Sequence, residues 1–183
     1  MTTLLRRSLL ALLAAGFLTG TLHADADAQR ADELYILASD TGAYLARCQG
    51  CAPRASVPNA AFNHERNPGA RYAQWTIQRM PNGRYTLRAD NGLYLARCRG
   101  CIPGARLQDS ATVHEGNPNA AYAQWTLERR PSGRYALRAD TGLYLARCRG
   151  CIPGASYPDS VFVHERNPDA AYAQWSLSPA WAR

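Results

Sequence analysis

The sequence contains no lysine. All 21 of its basic residues are arginine, a bias that a GC-rich genome explains without any functional demand. Against 14 acidic residues they leave a net charge of +7, which attracts nucleic acid, anionic glycans or membrane phosphates. No run of basic residues is longer than a pair, and nucleic acid is set aside as a partner on that ground. Beyond residue 18 no apolar stretch approaches the roughly 18 to 20 residues that span a bilayer, so no membrane span is expected there. Catalytic signatures are missing too. There is no G-x-S-x-G nucleophile motif and no phosphate-cradling glycine loop. No window carries a helical period.

What is present begins with the leader. Arg6 and Arg7 precede an uncharged apolar run from Leu9 to Leu18, and Ala24, Ala26 and Ala28 offer small-residue cleavage points. Residues 1–28 read as a secretory signal peptide, which places the protein in the periplasm or outside the cell. Residues 29–33 are a short N-terminal segment, and 34–183 form a single domain. The mature chain, of about 155 residues, is long enough for its own core.

That domain is a three-fold repeat. Tyr35, Tyr85 and Tyr135 open segments 34–84, 85–134 and 135–183, and the register holds without insertion through "YAQWTI", "YAQWTL" and "YAQWSL". Each unit reads as four short strands punctuated by Pro, Gly and Asn. In repeat 2 "YTLRAD" and "LYLARC" are joined by Asn91-Gly92, read as a two-residue hairpin turn with positive φ at both positions. Twelve strands in three equal units leave exposed edges unless they close on themselves. Propellers need more blades, and solenoids have shorter coils and capping ends. Three-fold closure remains.

From Trp75 the chain reads "WTIQRMPNGRYTLRADNGLYLA", and from Trp125 "WTLERRPSGRYALRADTGLYLA". This pattern resembles the β-trefoil, and within it the fascin-like branch. The resemblance implies an all-β trefoil whose core holds Leu37, Leu87 and Leu137, Leu45, Leu95 and Leu145, and Trp75, Trp125 and Trp175. It carries little about function, because nothing in this chain points to the actin that fascins bundle.

Two constellations repeat with the fold. The first is Cys-x-x-Cys, at Cys48 and Cys51, Cys98 and Cys101, and Cys148 and Cys151. An even count in an exported chain favours a disulfide within each turn. Binding of zinc or copper by the same six cysteines is the alternative, since each turn is followed by a histidine at zinc-finger spacing. An antiparallel hairpin, however, separates cysteine from histidine by about six residue pairs, roughly 20 Å. Such a site would have to join turns from different repeats. Thiol exchange is the third reading, without the helix N-terminus that activates redox cysteines.

The second constellation joins His64, His114 and His164 to Asp40, Asp90 and Asp140 at the neighbouring turn, with Glu65, Glu115 and Glu165, then Asn67, Asn117 and Asn167, adjoining. Carboxylate, amide and a nearby tyrosine are the groups that hold a sugar. The same residues also serve to pin a loop. Three identical sites argue against catalysis, which needs unlike groups with separately tuned acidities. The reading is an exported, non-catalytic module that binds glycan or cell-surface polysaccharide in a lectin-like manner, with no cofactor. A purely structural or protein-interaction domain is the other alternative to metal binding.

Overall fold

The computed structural model describes residues 33–181. The signal-peptide reading of residues 1–28 therefore lies outside the described residues. Repeat 1 contributes β1 (Leu34–Ala38), β2 (Tyr44–Gln49), β3 (Asn59–Glu65) and β4 (Trp75–Arg79). Repeat 2 contributes β5 (Tyr85–Arg88), β6 (Tyr94–Arg99), β7 (Asp109–Glu115) and β8 (Thr126–Arg129). Repeat 3 contributes β9 (Tyr135–Arg138), β10 (Tyr144–Arg149), β11 (Asp159–Glu165) and β12 (Gln174–Pro179). Four strands per unit match the punctuation of the sequence. Single 3₁₀ turns at Arg71–Ala73, Ala121–Ala123 and Ala171–Ala173 are additions that no periodicity announced.

Pairing closes the sheet. β1 pairs with β4, β4 with β5, β8 with β9, β9 with β12 and β12 with β1, every pair antiparallel. A single bridge between Tyr85 and Trp125 completes the circuit. The same contact recurs as Tyr35 with Trp75 and Tyr135 with Trp175. No edge of the circuit is left to pair with another chain. The hairpins β2–β3, β6–β7 and β10–β11 cover one end of it, where Ala60 meets Thr112, Ser110 meets Phe162 and Ser160 meets Phe62.

Side-chain burial follows the repeat. The six leucines and three tryptophans expected in the core are all 0% exposed and belong to one cluster. Each tryptophan also satisfies its polar atom: Nε1 of Trp75, Trp125 and Trp175 donates to the carbonyl of Leu45, Leu95 and Leu145 at 3.0–3.1 Å. Truncating one of these indoles to alanine removes both packing and bond, at a cost of about 3–5 kcal/mol. Repeat 1 departs from the pattern at a buried polar cluster. Asn63 stands where repeats 2 and 3 have Val113 and Val163, and its Nδ2 donates to Ser39 Oγ at 2.8 Å.

Two backbone sites refine the sequence reading. Of Asn91 and Gly92, only the glycine has positive φ, at 82°. The Gly92 amide closes a turn on the Ala89 carbonyl and Ala89 N–H donates to Leu93 O, so the connection is a longer loop with glycine in the left-handed position. Repeats 1 and 3 carry threonine beside that glycine, a β-branched residue that φ above zero would strain. The second site is Arg54, with φ of 60° where Gly104 and Gly154 take 81° and 75°. It is the one non-glycine residue with positive φ among the described residues.

The left-handed conformation costs a side chain about 1–2 kcal/mol, whereas glycine there loses about 0.5–1 kcal/mol more chain entropy on folding. The first outweighs the second. Arg54→Gly is expected to raise stability by about 0.5–1 kcal/mol, read as a higher urea midpoint at unchanged slope. A lower midpoint would show that Arg54 makes a stabilising contact larger than its backbone cost.

Candidate functional site

His64, His114 and His164 occupy β-bulges. In the β2–β3 ladder Leu45 faces Asn63 and Tyr44 faces Glu65, so His64 is the extra residue, and β7 and β11 repeat the shift. A bulge turns a side chain out of the strand's alternation. Here it lays each imidazole parallel to a tyrosine of the following 3₁₀ turn, with His64 and Tyr72, His114 and Tyr122, and His164 and Tyr172 at centroid distances of 6.2–6.4 Å. The histidines are half-buried, and burial holds their pKa below the usual value. The tyrosines are 38% exposed.

The glutamates lock that pair in place. Tyr72, Tyr122 and Tyr172 donate their hydroxyls to Oε2 of Glu65, Glu115 and Glu165 in short hydrogen bonds. Oε1 of each glutamate accepts the backbone N–H of Asn67, Asn117 or Asn167 at 2.7 Å. These bonds, the tyrosine's foremost, keep the carboxyls below their usual pKa and push the phenols up. The asparagines fold the loop through Oδ1, which accepts from the backbone N–H of Gly69, Asn119 and Asp169 at 2.9–3.0 Å. Asn67, Asn117 and Asn167 are themselves exposed.

Asp40, Asp90 and Asp140 go elsewhere. Arg47 grips Asp90, Arg97 grips Asp140 and Arg147 grips Asp40, each through Nε and an Nη at 2.7–2.9 Å. Every clasp therefore runs from one repeat to the next, closing a ring of three. The guanidinium hydrogen bonds hold the three carboxyls below the usual aspartate pKa. Each arginine reaches back to its own hairpin as well, to Asn59, Asp109 or Asp159 at 2.9–3.2 Å. The expected histidine–aspartate partnership is replaced by this ring, because a fork of two N–H groups fits a carboxylate better than one imidazole N–H.

In the cysteine turns the two sulfurs of each pair lie at bonding distance, with Cα atoms 5.6–5.7 Å apart, a span that a disulfide accommodates. The turns converge. Ser56 N–H donates to Cys101 O, Arg106 N–H to Cys151 O and Ser156 N–H to Cys51 O, at 2.8–3.0 Å. Convergence is the condition for a shared metal site, yet among the described residues no three of His, Cys, Asp or Glu are grouped to hold an ion. The histidines are nearer than six pairs, since Cys48 faces Ala60. Four strand positions on, His64 is still about 13 Å along the strand.

Repeat 1 has an additional ring. Tyr157, from the cysteine-turn loop of repeat 3, stacks on His64 at 4.1 Å and meets Phe62 edge-on at 6.3 Å. Val57 and Leu107 hold the corresponding places in repeats 1 and 2. The tyrosines are the residues that sequence reasoning left without numbers. A signal was available in "YAQW", where the tyrosine recurs at fixed distance from a core tryptophan.

Solved structures resemble this fold. The Polyporus squamosus lectin, bound to Neu5Acα2-6Galβ1-4GlcNAc, aligns with TM-score 0.59 and 14% identity over 80% of this chain and 49% of its own. ThreeFoil, a designed three-fold symmetric protein, aligns with TM-score 0.57 and 17% identity over 80% of this chain and 98% of its own. A GlcNAcα1-4Gal-releasing endo-β-galactosidase from Clostridium perfringens gives 0.57 and 15% over 81% of this chain and 32% of its own. The fold is trefoil-like. This chain spans about half the length of the lectin and a third of the galactosidase. At such identities the likeness is one of fold alone. No protein-family model matches the sequence, and no curated protein matches it.

The histidine pKa values are depressed, so their stabilising contribution is whole above the unfolded value near 6.5 and declines as pH falls below it. The aspartate contribution is whole above about 3.9 and declines as pH falls further. Urea midpoints are expected to drop in two windows, and the lower one, to which the glutamates also contribute, becomes shallower in an Asp40→Asn/Asp90→Asn/Asp140→Asn variant. A variant that retains the full lower drop would remove the ring as its cause. Separately, the intact mass is expected six hydrogens below the reduced value, with no alkylation before reduction. Free thiols carrying a metal mass would restore the metal reading.

Proposed function

We propose that this protein is an exported, non-catalytic β-trefoil that binds glycan in a lectin-like manner at three lateral sites, one per repeat. The observation that carries this reading is the tyrosine platform. Tyr72, Tyr122 and Tyr172 each present a ring that is braced from behind by a half-buried histidine and fixed at its hydroxyl by a glutamate. A sugar ring needs an apolar face and a few directed polar groups.

The remaining groups supply the polar part. Each glutamate Oε2 has lone-pair capacity beyond its tyrosine bond, and each exposed asparagine has an amide whose oxygen alone is engaged by the backbone. The roles divide accordingly. Tyrosine, glutamate and asparagine touch ligand, while histidine positions the tyrosine. Asp40, Asp90 and Asp140 hold the repeats together and touch none. Three weak sites on one body gain strength against a multivalent surface. Their near-identity supports binding over catalysis, since all three sites carry the same groups in the same arrangement. The resemblance to the fascin-like branch is one of architecture.

Calorimetric titration against a broad panel of neutral and acidic oligosaccharides tests the reading. The Tyr72→Ala/Tyr122→Ala/Tyr172→Ala variant is expected to lose binding by at least about tenfold per site, the scale of a lost ring-stacking contact. His64→Phe in a background lacking the other two sites is expected to keep most of it, because the brace is preserved. A wild-type protein that binds no sugar in the panel would sink the proposal.

A further inference from the structure

The face where the cysteine turns converge has a charge pattern of its own. Three loops build it, residues 48–58, 98–108 and 148–158, and none of their residues is acidic. They carry Arg54, Arg99, Arg106 and Arg149, all exposed. Among the described residues no carboxylate pairs with any of the four; Arg99 donates to Gln108 Oε1 at 3.1 Å. The nearest acids in sequence, Asp109 and Asp159, are already taken by Arg97 and Arg147. The loops are also tied to one another by the three backbone hydrogen bonds onto Cys101, Cys151 and Cys51, so the four charges sit on a single interlocked surface.

Arg54 supplies an independent observation. It holds a left-handed backbone, φ 60°, at a position where both sibling repeats place glycine. A side chain kept in a disfavoured conformation points to a use for that side chain. The rest of the face narrows the kind of partner. Its exposed residues are Arg, Gln, Ser, Gly and Pro, with Tyr157 as the one aromatic, while Ile102 and Ile152 are buried beneath. It lacks the row of aromatic platforms on which bases stack and the exposed aliphatic groups that enter a bilayer. Guanidinium forks paired with hydroxyl and amide groups match a polymer of hydroxyls and carboxylates or sulfates.

We propose that this face binds an acidic polysaccharide, with Arg54, Arg99, Arg106 and Arg149 reading its uronate or sulfate groups. The site adjoins the lateral site of repeat 1 through Tyr157, which stacks on His64, and uses none of Tyr72, Tyr122 and Tyr172.

The repeats themselves provide the test variant. Arg54→Gly, Arg99→Gln, Arg106→Ser and Arg149→Gln each install a residue that a sibling repeat already carries at that place, so the combined variant keeps residues the fold accommodates. The probes are polygalacturonate and dextran sulfate, with neutral dextran, phosphatidylglycerol vesicles and a single-stranded oligonucleotide as comparators. Wild type is expected to bind at least one acidic polysaccharide with an affinity that falls linearly in log salt. The variant is expected to lose about 100-fold or more at low salt, with a salt slope reduced by about one per arginine lost.

Arg54→Gly alone is expected to bind more weakly while being more stable, a combination that a merely structural arginine would not produce. Should the fourfold variant not fold, Arg99→Gln/Arg149→Gln at the exposed strand ends carries the same comparison. The triple tyrosine variant is expected to retain polyanion binding, which distinguishes failure of the lateral sites from failure of this face. Wild-type binding to neither acidic polysaccharide, or equal binding by the fourfold variant, overturns the proposal. Binding to vesicles or oligonucleotide in preference to both polysaccharides also overturns it.

Discussion

A strand with an unpaired edge is a liability, and one repeat of this chain has two such edges. The first and fourth strands of each unit find full pairing only in the units on either side, so no repeat satisfies its own backbone and the third must return to the first. Pairing of β1 with β12 is that return. Every other feature inherits its symmetry from this closure. The indoles of Trp75, Trp125 and Trp175 join one core cluster, each opposite the tyrosine that opens its own repeat.

The same dependence on neighbouring repeats organises the polar interactions. Arg47, Arg97 and Arg147 pass over the turn aspartates of their own repeats, Asp40, Asp90 and Asp140, and clasp those of the next, and the cysteine-turn amides do likewise. Exposed ion pairs are worth little singly, about 0–1 kcal/mol. A bidentate ring of three, with second bonds to Asn59, Asp109 and Asp159, adds geometric constraint to that modest energy. It fixes the rotation of each repeat relative to its neighbour, which is also what aligns the lateral sites. Symmetry is relaxed only where local chemistry allows. Asn63 and Ser39 place a buried polar bond where valine and alanine suffice elsewhere, and Tyr157 stacks on His64 from a position that repeats 1 and 2 give to Val57 and Leu107.

Much of this was legible in the residue string. Fifty-residue periodicity, strand count and the leucine and tryptophan core positions needed only spacing and polarity. Cysteine pairing needed only proximity in sequence. What escaped was long-range partnership. Asp140 and His164 are joined by a hairpin in the sequence reading, yet the aspartate's partner is Arg97, 43 residues away, and nothing local announces a contact across a repeat boundary. The β-bulges escaped as well, since one extra residue in a strand leaves no mark in a pattern of alternation. Without the bulge, the histidine could not be assigned to a tyrosine. The basic face was invisible for a related reason: its four arginines come from three separated loops and never adjoin.

Closure also brings the two ends of the described domain together. The Ala180 amide donates to the Leu34 carbonyl at 2.7 Å, so the chain enters and leaves at one point on the surface. A body with a single doorway can be set into a loop of a host protein, or strung beside other domains, without spreading the segments on either side. The loops that would have to stay clear, those of the cysteine turns and the tyrosine platforms, take no part in that doorway. Topologically the domain is a ring with a removable seam, and β1 and β12 pair over four residues, as β4 and β5 and β8 and β9 do, without a covalent turn between them.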